Sequence, residues 1–239
     1  MQINTFGLTD IGRVRHENQD AFFIDEAHQV YAIADGLGGL PGGGDTSRRI
    51  VELLQGYTAG SDAEGKEQGD LVEVIFAINR TVAREAAEAH PTTGSGSTLT
   101  LCRIVEDQLW IGHVGDSAAY LLRQGELEKL TIDHTLEQEL VNEHGEAARQ
   151  HMPPEYPHTL TRCVGQEVEL SVDQTKVALQ AGDRILLCTD GLNKVVSESE
   201  IADTLRSDLS AEQISIELIR NANAKSGPDN ITIITLILD

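Results

Sequence analysis

The stretch Tyr31 to Gly44, YAIADGLGGLPGGG, joins a short apolar run to a carboxylate and then to a series of glycines. The apolar residues predict a buried β-strand that delivers Asp35 to its end. Gly36 leaves the backbone beyond this acid open, because no Cβ blocks it. A carboxylate beside an exposed peptide carbonyl suits a hard divalent cation, whereas an ordinary strand-to-helix turn explains the same residues equally well. The two interpretations are distinguished by whether the rest of the chain supplies further metal-binding residues that could act with Asp35.

The composition predicts one acidic, globular domain. The chain has 239 residues, 40% of them apolar, and we expect a single catalytic domain over residues 1–239 because no linker is evident. Its 39 acidic and 18 basic side chains give a formal net charge of −21. Such a surface repels nucleic acid and anionic membranes, so neither is an expected partner. It also repels a phosphorylated substrate unless bound cations reverse the local field.

The three cysteines, Cys102, Cys163 and Cys188, form no CxxC pair and are odd in number. Two of them lie in apolar strand-like runs, which favours buried free thiols over a disulfide framework. The N-terminal residues lack the apolar core of a signal peptide, and no apolar run approaches the length of a membrane span. These features predict a cytoplasmic protein, and we expect a monomer.

Several predicted strands follow one another at hairpin spacing. The runs 98–105, 108–115 and 118–123 are each separated by two residues, a spacing typical of an antiparallel sheet. Further strands are predicted at 2–8, 21–24, 30–34, 127–130, 172–179, 183–188 and 231–238. We therefore predict an α+β fold with stacked antiparallel sheets. A doubly wound parallel α/β fold is the weaker alternative, because helices are too few between the central strands.

Helices are predicted at intervals between the strands. The clearest begins at Leu71, where apolar residues recur at helical spacing, and it ends near His90 before a proline. A short helix is predicted over 45–54, with Gly42 to Gly44 giving slack before it and a solvated loop over 57–69 after it. Sequences typical of capping boxes predict three further helices, beginning after Thr135, Ser197 and Ser210.

The segment 145–166 contains three prolines and has no period. Long irregular segments inside a compact domain are more often functional than incidental. We therefore predict that this segment and the short helix before it form a mobile flap over about residues 133–166.

Five aspartates adjoin predicted core strands, at positions 20, 35, 116, 190 and 229. One aspartate at a strand end is usually a turn former. If the five strand ends converge, however, their carboxylates repel one another and need neutralisation. Oxygen ligands without a His or Cys cluster favour Mg²⁺ or Mn²⁺ over Zn²⁺. Two such ions would activate water and neutralise a phosphate ester, so the residues themselves predict a metal hydrolase.

Six motifs in order resemble the metal-dependent protein phosphatase 2C family, and more narrowly its small bacterial serine/threonine phosphatases. The motifs are RHENQD at 15–20, ADGLGG at 34–39, GSGSTL at 94–99, HVGDSAAYLL at 113–122, CTDGL at 188–192 and GPDNITII at 227–234. The resemblance covers essentially the whole chain. It implies a four-layer sandwich of two antiparallel β-sheets flanked by α-helices, with metal ions in a cleft at one end.

The resemblance also implies roles for individual residues. Asp35 would bridge two metal ions, Mn²⁺ or Mg²⁺, and the carbonyl of Gly36 would bind the second. Asp190 and Asp229 would hold the first ion, and Asp20 would act through metal-bound water. Asp116, together with Asp190, matches the position at which bacterial members bind a third metal ion. Arg15 matches the arginine that grips the substrate phosphate, for which a guanidinium fork is suited.

The implied reaction is hydrolysis of phosphoserine and phosphothreonine by direct attack of a metal-bridging hydroxide, without a phosphoenzyme. The implied partners are phosphoproteins, among them a cognate bacterial serine/threonine kinase and its targets. The general acid stays open, because Leu37 stands where eukaryotic members commonly have His. A metal-bound water or a flap residue such as His158 could protonate the leaving oxygen, although an ordinary surface histidine is the favoured interpretation of His158. His134 is predicted to be structural, capping the helix of the flap.

Two other function classes are less consistent with the sequence. A non-catalytic binding module would be expected to have lost metal-ligand positions, and every such position is filled. A P-loop nucleotide binder would need Gly-Lys-Ser/Thr after the glycine run, and GLGGLPGGG lacks it.

Overall fold

A computed structural model describes residues 2–38, 42–61, 70–166 and 169–239. Residues 39–41 of the glycine-rich turn and residues 62–69 of the predicted loop lie outside these ranges.

The strands form two five-stranded antiparallel sheets. They are β1 (Ile3–Asp10), β2 (Asp20–Asp25), β3 (Val30–Asp35), β4 (Leu99–Val105), β5 (Gln108–Val114), β6 (Ala118–Arg123), β7 (Glu126–Lys129), β8 (Asp173–Ala178), β9 (Arg184–Cys188) and β10 (Ile231–Leu238). The first sheet has the order β1-β10-β9-β6-β7, and the second has the order β2-β3-β4-β5-β8. The predicted antiparallel pairing is confirmed, and the parallel alternative is excluded for these strands.

Six α-helices accompany the sheets in the described part of the chain. They are α1 (Gly43–Ser61), α2 (Leu71–Ala89), α3 (Leu136–His144), α4 (Asp190–Asn193), α5 (Glu198–Arg206) and α6 (Ala211–Ala224). Across the described ranges, none is both long and apolar enough to span a bilayer. The predicted caps are confirmed: Thr135, Ser197 and Ser210 each accept a hydrogen bond from the backbone N–H three residues on. Full capping boxes form at the two serines.

The core lies in three apolar layers. Side chains such as Ile33 and Ile111 of the second sheet pack against Leu121 and Ile185 of the first, between the two sheets. Helices α1 and α2 cover the outer face of the second sheet, and α4, α5 and α6 cover that of the first. This is the predicted four-layer α+β sandwich. All three cysteines are buried and free, as expected.

Two local predictions are wrong. Helix α1 begins at Gly43 and continues to Ser61, so the helix predicted over 45–54 is too short and the predicted loop does not begin at Tyr57. Gly43 and Gly44 are therefore helical rather than slack. Asp190, which a usual strand-end aspartate would place in a turn, instead begins the one-turn helix α4, with one residue between it and the end of β9.

The flap segment contains α3 and two short 3₁₀ helices, Glu146–His151 and Tyr156–His158. Its last residues return to the body of the protein, where Val164 forms an antiparallel bridge with Ser97. On α2, Asn79 accepts a hydrogen bond from the backbone N–H of Gly165 at 2.8 Å. The C-terminal end of the flap is thus attached to both the second sheet and α2.

Candidate active site

The five aspartates come together where strands of both sheets end. Asp20 lies directly opposite Asp35 in the β2–β3 register. Asp116 lies in the turn between β5 and β6, Asp190 follows β9, and Asp229 precedes β10. A cleft of about 380 Å³ is lined by Arg15, Gln19, Asp35, Gly36, Leu37, Gly38, Thr98, Asp116, His158, Leu160, Asp190, Asp229 and Asn230. All predicted site residues except Asp20 line this cleft, and Asp20 is buried beside Asp35.

The GSGSTL motif fixes the backbone of Asp35. The Asp35 N–H donates to the Thr98 hydroxyl at 3.0 Å, and its carbonyl accepts from the Ser97 hydroxyl at 2.9 Å. The Thr98 backbone N–H also donates to this carbonyl, at 2.8 Å. Because the backbone polar groups are satisfied, the carboxylate is left to face the cleft.

Asp20 is held by one oxygen only. The Thr189 hydroxyl donates to Oδ2 of Asp20 at 2.8 Å, and the same hydroxyl accepts from the Thr232 N–H at 2.9 Å. The other oxygen, Oδ1, is buried and has no hydrogen-bond partner among the described residues. A buried carboxylate oxygen without a partner is costly, which is typical of a site prepared for water or an ion.

Burial and the charges of neighbouring aspartates raise the pKa values of the site carboxylates. Burial and then the charges of Asp20 and Asp190 hold the pKa of Asp35 well above its usual range. Burial also raises the pKa of Asp20 to about 7. For Asp116, burial and the charge of Asp190 outweigh a nearby ammonium and raise the pKa to about 6. These clustered carboxylates are therefore fully ionised near neutral pH only when nearby positive charge lowers their pKa values.

Two basic side chains supply positive charge. Nη2 of Arg15 lies 2.6 Å from Oδ2 of Asp229. Nζ of Lys194 lies 2.5 Å from Oδ2 of Asp116 and 2.8 Å from Oδ2 of Asp190. Burial lowers the pKa of Lys194, but the two carboxylates outweigh it, so this pKa lies above its usual value. The sequence analysis missed Lys194, although its spacing of four residues from Asp190 was an available signal.

A second missed residue is Asn230, which holds the loop that carries Arg15. Its side-chain oxygen accepts from the Gln19 N–H at 2.9 Å. Its amide nitrogen donates to the carbonyls of Ile11 and Glu17, both at 3.0 Å. Asn230 is buried and its three bonds span the loop from Ile11 to Gln19, so it positions both Arg15 and the start of β2.

Two glycines allow the chain to approach the site closely. At Gly36 a Cβ would clash with the carbonyl of Gly43, so the strand end and the start of α1 meet through backbone alone. Gly115, just before Asp116, has a φ of +114°, which favours glycine, and a Cβ there would meet Thr98.

The histidines differ in position. His158 lines the cleft, and its role as a proton donor stays a prediction. His134 is buried, and its Nδ1 accepts from the Gly115 N–H at 3.1 Å, so the structural interpretation is supported. It does not cap α3, however, because Thr135 is the N-cap.

The donor set fits hard divalent ions, although no ion-ready cluster is preformed. The aspartates share one cleft, but in the described ranges no three carboxylate, imidazole or thiolate groups lie close enough together to hold an ion as they stand. Arg15 and Lys194 instead hold oxygens of Asp229, Asp116 and Asp190. The unpartnered oxygen of Asp20 and the mutual repulsion around Asp35 are what divalent ions would relieve.

Comparison with known proteins places this site in a family context. The family model described as protein phosphatase 2C matches residues 13–230. The serine/threonine phosphatase stp of Listeria welshimeri is 35% identical over 234 residues, covering 95% of this chain and 92% of that protein.

Solved structures agree with the fold. The serine/threonine phosphatase PstP/Ppp of Mycobacterium tuberculosis has a TM-score of 0.85 at 32% identity, and 99% of each chain is covered. The catalytic domain of PstP in complex with two manganese ions has a TM-score of 0.82 at 32% identity, again over 99% of each chain. The chain described here therefore belongs to the protein phosphatase 2C family.

Proposed function

We propose that this protein is a metal-dependent serine/threonine protein phosphatase that hydrolyses phosphoserine and phosphothreonine in proteins. The observation that carries the proposal is the convergence of Asp35, Asp116, Asp190 and Asp229 on one cleft beside Arg15. Membership of the protein phosphatase 2C family supports the reaction class, as do the names of the relatives. The two manganese ions of the PstP structure support Mn²⁺ or Mg²⁺ as the cofactor.

The candidate ligands divide between two ions in this proposal. Asp35, the carbonyl of Gly36, Asp190 and Asp229 would hold these ions. Asp20 would act through water beside Asp35, consistent with its unpartnered oxygen. When bound, such ions supply an activated water near neutral pH and neutralise the charge of the phosphate.

Arg15 binds the substrate phosphate in this proposal. Its side chain is 38% exposed and now pairs with Asp229, so it must exchange this carboxylate for phosphate oxygens. A planar guanidinium offers two parallel N–H donors to a phosphate, which orients the phosphorus atom in the cleft. Asn230 keeps the backbone of this loop in place while the Arg15 side chain exchanges partners.

The test is hydrolysis of p-nitrophenyl phosphate and of a phosphothreonine peptide by the purified protein with Mn²⁺. EDTA should abolish the activity and added Mn²⁺ should restore it. We expect Asp35→Asn to lower kcat by about a hundredfold or more, whereas the exposed Asp208→Asn should act as wild type. If the metal-loaded protein is inactive and Asp35→Asn behaves identically, the proposal is wrong. Absence of divalent-metal binding in calorimetry would favour the non-catalytic binding module instead.

We further propose that a serine/threonine kinase of the same cell and its targets are the opposing partners, acting in the cytoplasm. The three buried free thiols support a reducing compartment. Phosphopeptides that rise in abundance when the protein is deleted should then include those phosphorylated by that kinase. An unchanged phosphoproteome would contradict the partnership but not the hydrolytic activity.

A further inference from the structure

The side chain of Lys194 lies between two of the candidate metal-binding carboxylates. The backbone N–H of Lys194 donates to the carbonyl of Asp190, so α4 turns once and brings the side chains of these two residues together. The ammonium reaches beyond Asp190 to Asp116, which is contributed by the turn between β5 and β6. Lys194 thus joins α4 to a turn that lies 78 positions earlier in the sequence.

This ion pair is partly shielded from solvent, although Lys194 as a whole residue is exposed. The side chain of Lys194 is 22% exposed, that of Asp190 16% and that of Asp116 6%. Charge-assisted hydrogen bonds of this length are among the stronger polar interactions in proteins, and burial reduces their screening. The ammonium contacts only Oδ2 of each carboxylate, so it takes one oxygen of each from a divalent ion between them and leaves Oδ1 of Asp190 for the ion that this residue would hold with Asp229.

We propose that Lys194 is a tethered competitor of divalent cations at the Asp116–Asp190 pair. In its present position the ammonium neutralises the two carboxylates, and an ion enters between them only after the lysine side chain has moved out. The inference rests on the proposed function, because it concerns an additional ion beside the two assigned above. It predicts that this chain binds two ions tightly and the ion at Asp116 weakly.

A purely structural lysine would behave differently. If Lys194 served only to join α4 to the β5–β6 turn, its removal would loosen both segments and weaken all metal binding. A competitor instead lowers affinity only at the carboxylates it occupies, so its removal strengthens binding there. The sign of the change therefore separates the two roles.

The experiment is calorimetric titration of Mn²⁺ into the metal-free protein and into its Lys194→Met variant. Methionine keeps an unbranched side chain of similar size and removes the charge. We expect the weakest Mn²⁺ site to tighten by about tenfold or more, since the loss of one charge-assisted interaction is worth at least that factor. Lys225→Met, which removes a lysine paired with Glu200, should leave every site unchanged. An unchanged or weakened third site in Lys194→Met would overturn the inference.

A double variant localises the effect. In an Asp116→Asn background, Lys194→Met should give no gain in Mn²⁺ affinity at the third, weakest site, because one of the two carboxylates of that site is gone. A gain of equal size in that background would mean a general charge effect and would also overturn the inference. If the wild type bound no Mn²⁺ at all, the proposed function would fall together with this inference, so the two failures are distinguishable.

A second measurement uses the wild-type protein and does not depend on a variant folding. In protein labelled with ¹⁵N-lysine, the ammonium of Lys194 should exchange more slowly than that of an unpaired lysine, because two carboxylates hold it, and should give an observable signal. We expect the signal to persist while the first two equivalents of Mg²⁺ bind and to vanish only at higher Mg²⁺. Loss of the signal with the first two equivalents, or its persistence at saturation, would contradict competition at this pair.

Discussion

At the scale of single residues, Asn230 joins the loop from Ile11 to Gln19 to the end of the first sheet. Its amide makes three hydrogen bonds to backbone groups of that loop, and it is buried. Residues 11–19 belong to no strand, so these three hydrogen bonds help to hold the backbone of the loop in place. The substrate-binding role proposed for Arg15 therefore depends on Asn230, an uncharged residue that positions its loop.

Asn230→Ala should lower both stability and substrate affinity. It leaves one N–H and two carbonyls of the loop without partners, which should cost about 2 kcal/mol of unfolding free energy. Because Arg15 would be less well positioned, we expect KM for p-nitrophenyl phosphate to rise several-fold. Urea unfolding and steady-state kinetics measure the two effects. The control is Asn142→Ala on the exposed surface of α3. Equal KM values in both variants would contradict the positioning role.

His113 is a second buried residue that acts through its surroundings. Its Nδ1 lies 2.9 Å from the Thr100 hydroxyl, and its Nε2 has no hydrogen-bond partner among the described residues. Burial, with the nearby ring of His134, lowers its pKa to about 3. The imidazole is therefore neutral in the folded protein at pH values where it is already charged in the unfolded chain.

This pKa gives a stability prediction with a definite sign. Between pH 6.5 and about 3 the unfolded state binds a proton at His113 and the folded state does not, so the stability contribution is present above pH 6.5 and is lost as pH falls. Relative to His113→Gln, the wild type should lose up to about 1.4 kcal/mol per pH unit in this window. Urea unfolding of both proteins from pH 8 to pH 4.5 measures the difference. Parallel stability curves would contradict a buried neutral imidazole.

At the scale of elements, the flap is attached to α2 through Asn79. The side-chain oxygen of Asn79 accepts from the Gly165 N–H, and Val164 pairs with Ser97 beside the strand end of Asp35. The flap thus returns to the body next to the residues that fix Asp35, so its anchoring and the geometry of the cleft are connected.

Asn79→Leu should release this end of the flap. The Gly165 N–H would remain buried without a partner, at a cost of about 1–3 kcal/mol. We expect faster cleavage of the segment 145–166 by subtilisin in limited proteolysis, with a lower melting temperature. Arg80→Leu, at the next and exposed position of α2, is the matched control. If both variants are cleaved at the wild-type rate, the anchor is not formed in solution.

At the scale of the whole molecule, both sheets place acids at one end of an already acidic protein. The net charge is −21, and burial first, then the charges of neighbouring aspartates, raise the pKa values of Asp20, Asp35 and Asp116. A carboxylate whose folded pKa is raised stabilises the fold at low pH, and this contribution is lost as pH rises through the folded pKa. In metal-free protein the stabilising contribution of these three carboxylates should therefore decrease between about pH 4 and pH 7, opposite in sign to that of His113.

Divalent ions should reverse this loss. Ion binding requires ionised carboxylates and stabilises the folded state by mass action. We expect about 5 mM Mn²⁺ to raise the melting temperature more at pH 8 than at pH 5.5. At the lower pH, protons compete with Mn²⁺ for the carboxylates. Thermal unfolding with Mn²⁺ or EDTA measures the shift, and Asp35→Asn should reduce it. A shift that is equal at both pH values would argue against ions bound at these carboxylates.

The sequence alone determined most of the architecture and the acids of the site. Hairpin spacing, apolar periodicity and three caps are local features, so the strands, most helices and the antiparallel pairing were predictable from neighbouring residues. The aspartates were predictable for the same reason, since each adjoins a strand end. The extent of α1 was not, because the polar residues that follow Leu54 do not themselves reveal that the helix continues.

Only the tertiary structure decided which groups meet in the cleft. Lys194 faces Asp116, Asn230 spans the loop of Arg15, and the flap ends on Asn79 through contacts between distant segments. Such contacts depend on sheet order and register, which bring Asp20 opposite Asp35 and close two sheets on each other. The sequence pattern thus specified the acids, whereas packing of the two sheets specified the cations and amides that hold them.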